Sequence, residues 1–257
     1  MSKLPIDHQF IDLSDYGRPL GRQIAVWLRN TRLTPVHVTI GFILAGLLAV
    51  GCILKGYYWG AVLFLLLKSV LDAADGELAR VKNTPSYTGR FLDSISDMGI
   101  NLLVILSIWK ITNAPLWMAF LAFFGLQLQG TLYNYYYAIL RKRRNGDLTS
   151  RIFETQIPKA LTGEKQGSVT LLFRTYRLCY GVFDKLIYVL DWQAASARHL
   201  PNWLMTAVST FGLGFQLLLI GLMLVLGLKS YIFPFFIGYS LFILVFIALR
   251  RIINLNS

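Results

Sequence analysis

Residues 71–97 read LDAADGELARVKNTPSYTGRFLDSISD, and they join two runs dominated by Leu, Val, Ile and Phe. Asp72 and Asp75 stand at the end of the first run, Asp93 and Asp97 at the start of the second. The first pair is three residues apart and the second four, so each pair shares one face of a helix. The turn-rich NTPSYTG between them lets the two helices return side by side. Four carboxylates would then converge at one end of the helix pair, where charge without a partner is costly.

The rest of the chain makes that setting a membrane. It has 257 residues, 55% of them hydrophobic, and a positive mean hydropathy, too apolar for an ordinary soluble domain. Stretches near 36–54, 57–75, 91–110, 115–137, 203–227 and 231–249 each approach the roughly 20 apolar residues that a crossing needs. The expected fold class is all-α, a polytopic membrane protein of six transmembrane helices. With both termini on one side, only Lys55, Lys110 and Lys229 fall in the loops of the other, and Lys68 lies within a span. The remaining 21 of the 25 basic residues share the side of the termini, which the positive-inside rule makes the cytoplasm. The net charge of +12 therefore reads as lipid-facing cation, and no nucleic-acid module pattern accompanies it. Cys52 and Cys179 lie far apart and suggest neither a disulfide framework nor a metal site. The first apolar run begins near Val36, after a charged segment, so no cleavable signal peptide is expected.

A single membrane domain over 1–257 is expected, with an interfacial segment at 1–35, four spans in 36–137, a cytoplasmic or interfacial helical insert at 138–200 and two spans in 201–257. In RPLGRQIAVWLRN, Leu20, Ile24, Trp27 and Leu28 share a face away from Arg18, Arg22 and Arg29, which suits an amphipathic helix on the membrane surface or one packed on protein. In the insert, Leu172, Tyr176, Cys179, Phe183, Leu186 and Leu190 form one stripe. Arg174, Arg177, Asp184 and Lys185 interrupt that segment and keep it in the interface. The insert opens with RKRRNGD, read first as a cytoplasmic anchor and second as a grip on an anionic substrate.

Four like charges at short range repel, and a hard divalent cation, or two, removes the conflict. Carboxylate oxygens suit Mg²⁺, Mn²⁺ and Ca²⁺, and the absence of a neighbouring His or Cys argues against zinc. Two metals are a usual clamp on a transferring phosphoryl group. Salt bridges to Arg80, Lys82 and Arg90, or solvated helix ends, would absorb two of the aspartates but hardly all four. Lys68, one turn before Asp72, is read first as its ion-pair partner and second as a substrate contact. Gly76 and Gly89 suit close helix packing or close approach of a ligand.

Asp72-x₂-Asp75-Gly76-x₂-Ala79-Arg80-x₈-Gly89-x₃-Asp93-x₃-Asp97, eight fixed positions across 26 residues, resembles the full signature of the CDP-alcohol phosphatidyltransferase family of membrane phospholipid synthases. The six-span architecture is similar too, whereas the N-terminal segment and the insert are poorly covered. LTPVHVT, residues 33–39, resembles the family's stretch opening the first span, with Val36 where an Asn is frequent, and no role is assigned to Thr34 or Thr39. The resemblance implies that Asp72, Asp75 and Asp93 bind Mg²⁺ or Mn²⁺, as a pair of ions. It further implies that Asp97 is the catalytic base and also touches metal, and that Gly76, Ala79, Arg80 and Gly89 border the CDP moiety. It also implies a homodimer.

The expected reaction is transfer of a phosphatidyl group from CDP-diacylglycerol to an alcohol with release of CMP, in phospholipid biosynthesis. A polyol phosphate or serine is the expected acceptor. Lys82, Arg90 and Asn101 are candidates for its pocket, with Arg141 and Arg144 also available, and Gln127, Gln129 and Asn134 are read mainly as interhelical hydrogen-bonding groups. The expected location is a bacterial inner or plasma membrane, with the site and both termini cytoplasmic. Within the family, the alternative is transfer of a CDP-linked head group onto diacylglycerol. Outside it, the alternatives are a cation transporter or channel with an aspartate-lined path, and a lipid-binding scaffold without catalysis.

Overall fold

The computed structural model describes residues 10–143, 156–197 and 200–255, and among these every regular element is a helix. They are α1 (Arg18–Leu28), α2 (Pro35–Leu54), α3 (Tyr58–Val81), α4 (Tyr87–Thr112), α5 (Leu116–Arg143), α6 (Gln166–Leu190), α7 (Asn202–Ser209), α8 (Leu213–Val225), α9 (Ile232–Tyr239) and α10 (Phe242–Leu255). Short 3₁₀ turns lie at Trp192–Ser196 and Lys229–Tyr231. The all-helical class expected from hydropathy is what the chain adopts.

Among the described residues, four helices are long and apolar enough to cross a membrane: Pro35–Leu54, Tyr87–Thr112, Leu116–Lys142 and the broken stretch Lys229–Leu255. A fifth is added if α7 and α8, which meet at a 46° bend, form one span. Helix α3 is long enough at 24 residues, but Lys68 near its middle and Asp72, Asp75, Glu77 and Arg80 in its second half mean that composition alone does not mark it as a span.

Two expected continuous spans are broken, each for a local reason. Between α7 and α8, Leu13 N–H donates to Ser209 Oγ at 2.9 Å, and a Cβ on Gly214 would come within 2.0 Å of the Ser14 carbonyl oxygen. The N-terminal segment is thus wedged into the bend. Between α9 and α10, Ser240 Oγ bonds back to the Phe236 carbonyl and accepts from Gln129 Nε2 at 3.0 Å. Gly125 of α5 leaves the room for that serine.

Helix α1 packs on α3 through its small residues flanked by Ile24 and Leu28, half of the expected apolar face. Gly21 and Ala25 are its buried residues, and a Cβ on Gly21 would meet the Ala74 nitrogen at 2.9 Å. Leu20 and Trp27 stay exposed, Trp27 by 70%, because the small residues permit a closer crossing than the large ones. Helix α6 turns part of the expected stripe inward, Leu172, Tyr176 and Phe183, and fills the rest of its seam from other positions. Val169, Phe173, Phe183 and Ile187 are buried, while Leu186 and Leu190 are exposed. The aromatic pair Tyr176 and Tyr180, stacked on each other, continues the inward seam, and Tyr176 meets Phe91 of α4.

The expectation that α3 and α4 lie side by side needs correction. Both lean on α2, and α3 also packs on α8, but the two make few close backbone approaches to each other. The gap between them is where their aspartates point.

A buried ion pair ties the C-terminal helix to the bundle. Asp191, just past α6 and fully buried, pairs with Arg250 of α10, which is also buried. Tyr136 of α5 donates its hydroxyl to Asp191 Oδ2 at 2.6 Å, and Arg250 Nε donates to the same oxygen at 3.1 Å.

Candidate active site

Helix α3 ends in a turn that aims the chain back toward α4. Thr84 N–H donates to the Ala79 carbonyl at 3.0 Å, and Asn83 takes a left-handed φ of 50°, a conformation that Asn tolerates better than most residues. Ser86 then starts α4, its Oγ accepting from Gly89 N–H at 2.8 Å. A Cβ on Gly89 would stand 3.2 Å from that same Oγ. A serine N-cap accepts equally from residues that carry a Cβ, so the capping turn alone does not require Gly89.

Glu164, from the loop before α6, completes the cap. Its Oε1 accepts from Ser86 Oγ at 2.8 Å, Thr88 N–H at 2.7 Å and Thr88 Oγ1 at 2.6 Å, and its Oε2 accepts from Leu161 N–H at 3.1 Å. Partial desolvation pushes this carboxyl up, but the donors from Thr88, Leu161 and Ser86 outweigh it and hold it down at about 2. Farther along α6, Tyr180 donates its hydroxyl to the Ser94 carbonyl at 2.8 Å, between Asp93 and Asp97. The insert thus braces the aspartate-bearing end of α4.

Asp72 and Asp75 from α3 and Asp93 from α4 each offer a carboxylate oxygen, and the three oxygens lie within 4.8 Å of one another. Asp75 is anchored from α2, where Thr39 Oγ1 donates to its Oδ2 at 2.7 Å. The Oδ1 atom of Asp93 is buried with no hydrogen-bond partner, an arrangement that is expensive unless a cation or donor completes it. Three converging carboxylates, one of which has an orphaned oxygen, fit Mg²⁺ or Mn²⁺.

Asp97 stands apart from this trio. Its Oδ1 accepts from Lys68 Nζ, and Lys68 is 0% exposed. The lysine therefore pairs across the gap with α4, not with Asp72 one turn along its own helix. Its ammonium also lies 5.1 Å from the centre of the Phe42 ring.

The residues around the cage divide sharply. A Cβ on Gly76 would meet only the Arg80 guanidinium, at 3.6 and 3.9 Å, so helix packing does not demand glycine there. Arg80 Nη2 donates to Glu77 Oε1 at 2.9 Å. The fully buried Glu77 also draws Arg18 Nε to 3.8 Å and Arg22 Nε to 4.0 Å. Three guanidinium groups thus gather beside Gly76 around one carboxylate. Ala79 is half-buried one turn beyond Asp75.

The candidate acceptor residues scatter. Lys82 Nζ donates to the Thr31 and Leu33 carbonyls at 2.8 and 2.6 Å, tying α3 to the α1–α2 connection. Arg90 lies over the Tyr87 and Phe91 rings, and Arg141 over Tyr137. Asn101 faces a small cavity lined mostly by apolar residues, including Val104, Leu126 and Leu217, and its Oδ1 is buried without a partner. Arg144 falls outside the described residues. Gln129 bonds between helices, accepting from Gln216 Nε2 at 3.0 Å, and Asn134 is exposed.

Sequence reasoning missed Thr39, Glu77 and Glu164. Only Glu77 carried a local signal, its i, i+3 spacing to Arg80.

The family model for CDP-alcohol phosphatidyltransferase matches residues 32–175, more than half of the chain and all of the aspartate-bearing segment. The chain is also similar to the CDP-diacylglycerol–serine O-phosphatidyltransferase of Bacillus subtilis (strain 168), with 42% identity over 64 residues. That stretch spans 25% of this chain and 36% of the relative.

Proposed function

The chain belongs to the CDP-alcohol phosphatidyltransferase family, and we propose that it transfers the phosphatidyl group of CDP-diacylglycerol to a small polar alcohol, releasing CMP. The observation that carries this reading is the convergence of Asp72, Asp75 and Asp93 from two separated helices, with Asp97 held opposite them by Lys68. The acceptor belongs to the serine or polyol-phosphate class, serine being the acceptor named for the Bacillus relative.

Asp72, Asp75 and Asp93 would hold the divalent metal, and Thr39 keeps Asp75 turned toward it. When bound, the cation supplies charge neutralisation for the diphosphate and for the departing CMP. Gly76 leaves the backbone of α3 open to the diphosphate, and Arg80, steadied by Glu77, borders the same opening. Asp97 takes the proton of the acceptor hydroxyl on the carboxylate oxygen that Lys68 leaves free. The acceptor oxygen forms its bond to the phosphorus carrying diacylglycerol. The bond from that phosphorus to the bridging oxygen breaks, and CMP departs with the electron pair. General-base assistance of this kind is worth about 10²–10⁴-fold.

Six crossings, with α3 as the second and α7–α8 together as the fifth, suit this chemistry. They place the aspartates at the end of the bundle that carries most of the Lys and Arg, the cytoplasmic end. The donor's acyl chains then stay in the bilayer while its nucleotide enters from water.

The test is CMP release from CDP-diacylglycerol by the purified protein with a panel of alcohols, with and without Mg²⁺ or Mn²⁺. Metal-dependent CMP release with one acceptor class, lost in Asp97→Asn while the fold persists, is the expected result. Full activity in Asp97→Asn would remove the base from Asp97. Ion flux in proteoliposomes with no CMP release from any alcohol would replace the whole reading with transport.

A further inference from the structure

The segment before α1 is fixed against the bundle from several sides. Phe10 packs edge-on to Tyr137, Tyr133 donates its hydroxyl to Asp12 Oδ2, and Leu13 N–H donates to Ser209 Oγ. A Cβ on Gly17 would stand 3.0 Å from the Ser69 carbonyl oxygen of α3, and one on Gly214 of α8 would stand 3.4 Å from Tyr16 Cε1. Tyr16 is thereby set between α3 and α8, about one turn of α3 before Asp72. Its hydroxyl oxygen is buried with no hydrogen-bond partner among the described residues. Ser69, beside it, donates its own hydroxyl back to the Leu65 carbonyl at 3.1 Å. Lys68 and Asp72 are the charges that act on the phenol, so it stands on the side of the cage where Lys68 meets Asp97.

We propose that Tyr16 binds the acceptor, its hydroxyl donating to an oxygen of the alcohol that lies beside Asp97, a role that rests on the phosphatidyl-transfer reading above. The N-terminal segment then forms one wall of the acceptor pocket. A buried hydroxyl without a partner is costly, and a ligand that supplies the partner removes the cost. Burial pushes the phenol above its ordinary value, so at neutral pH it keeps the hydrogen it would donate. Asp97 retains some exposure beside Lys68, the access that an alcohol needs to reach it. The acceptor candidates read from sequence are turned elsewhere, Lys82 to the Thr31 and Leu33 carbonyls and Arg90 onto the Tyr87 and Phe91 rings. Tyr16 also stands before residues 32–175, the stretch that the family model matches. The aspartate signature lies inside that stretch, and a group outside it suits the half of the substrate pair that the signature does not specify.

Initial rates of CMP release by the purified chain test this, with Mg²⁺, CDP-diacylglycerol and whichever of serine, glycerol phosphate and inositol phosphate supports turnover in wild type. Tyr16→Phe keeps the ring and removes the hydroxyl. Its KM for the acceptor should rise about three- to tenfold. Its kcat and its KM for CDP-diacylglycerol should stay near wild type, the pattern of a lost binding contact. Its thermal midpoint should be no lower than that of wild type, because the hydroxyl has no partner among the described residues. An unchanged acceptor KM would overturn the proposal, as would a rise confined to the KM for CDP-diacylglycerol, which would move Tyr16 to the donor. A markedly lower midpoint would overturn it too, by showing that the hydroxyl is bonded within the fold. These three outcomes leave the phosphatidyl-transfer reading in place, whereas a wild type that releases no CMP with any of the three alcohols would remove both.

Discussion

Thr39 Oγ1 donates to Asp75 Oδ2 at 2.7 Å, from α2 to α3. Asp75 is buried, so the hydroxyl fixes which carboxylate oxygen is left for a cation. Supporting hydrogen bonds of this kind typically cost 10–100-fold in metal affinity when removed. Thr39→Val should therefore weaken Mn²⁺ binding by about that factor and raise the metal concentration needed for CMP release. Thr39→Ser should restore most of it. Unchanged Mn²⁺ affinity in Thr39→Val would reduce the contact to helix packing.

The Arg250–Asp191 pair makes a prediction about stability instead of chemistry. Both side chains are buried, and Tyr136 and Arg250 share Asp191 Oδ2. Removing one member of a buried pair costs about 3–5 kcal/mol when the other charge is left alone. Here the half-exposed Arg251, its Nε 3.6 Å from Asp191 Oδ1, keeps a weaker partner in place and brings the cost toward the lower end. Arg250→Met should lower the thermal midpoint in micelles markedly, and the double variant Arg250→Met with Asp191→Asn should recover much of the loss. CMP release per folded molecule should stay near wild type, because the pair lies on α10 and past α6, away from the aspartates. A midpoint unmoved by Arg250→Met would refute the pair as a clamp.

Glu164 supplies a pH dependence whose sign can be worked out. Its folded value is held at about 2, below the ordinary 4.5, so the folded state favours the ionised form. The stability it contributes is fully present above pH 4.5 and is lost as pH falls through about 2. Hydrogen exchange at the first turn of α4 should accelerate across that window. The difference between wild type and Glu164→Gln isolates this group from the cage carboxylates, which also titrate in acid. In the variant, protection should already be low at neutral pH, and a variant as protected as wild type at neutral pH would show the clamp to be dispensable.

These contacts also mark what could be read from sequence. The pairs Asp72–Asp75 and Asp93–Asp97 were legible because helical spacing is local, and the apolar runs announced an all-helical membrane protein by composition. Thr39–Asp75, Lys68–Asp97, Glu164–Thr88 and Asp191–Arg250 join residues 29 to 76 positions apart, and no periodicity encodes such partners. The face of α6 was legible in part. Tyr176 and Phe183 of the expected stripe do pack inward, but Leu186 and Leu190 look like core by hydropathy and are exposed. The seam continues instead through Tyr180, which stacks on Tyr176 and sends its hydroxyl to Ser94. Half of the α1 face, Ile24 and Leu28, was read correctly, and the rest was missed because Gly17 and Gly21 bury themselves by letting α3 approach, which no hydrophobic pattern reports. The bend between α7 and α8 depends on Ser14, nearly 200 residues upstream.

Gly76 separates the demands of folding from those of function. Within α3, glycine is disfavoured relative to alanine by roughly 1 kcal/mol, and the space over its Cα is bounded only by the Arg80 guanidinium at 3.6 Å. Gly76→Ala should therefore leave the fold intact and raise its stability by a fraction of that amount. On the proposed mechanism the added methyl would instead stand beside the Arg80 guanidinium, where the donor's diphosphate approaches the backbone. CMP release should fall at least tenfold, chiefly through a higher KM for CDP-diacylglycerol, while Mn²⁺ affinity stays near wild type because no metal-binding carboxylate moves. Melting curves, Mn²⁺ titration and initial rates on one variant thus report three separate quantities. A variant that is stabler and fully active would show that nothing passes over Gly76, and the proposed path of the diphosphate would have to be redrawn.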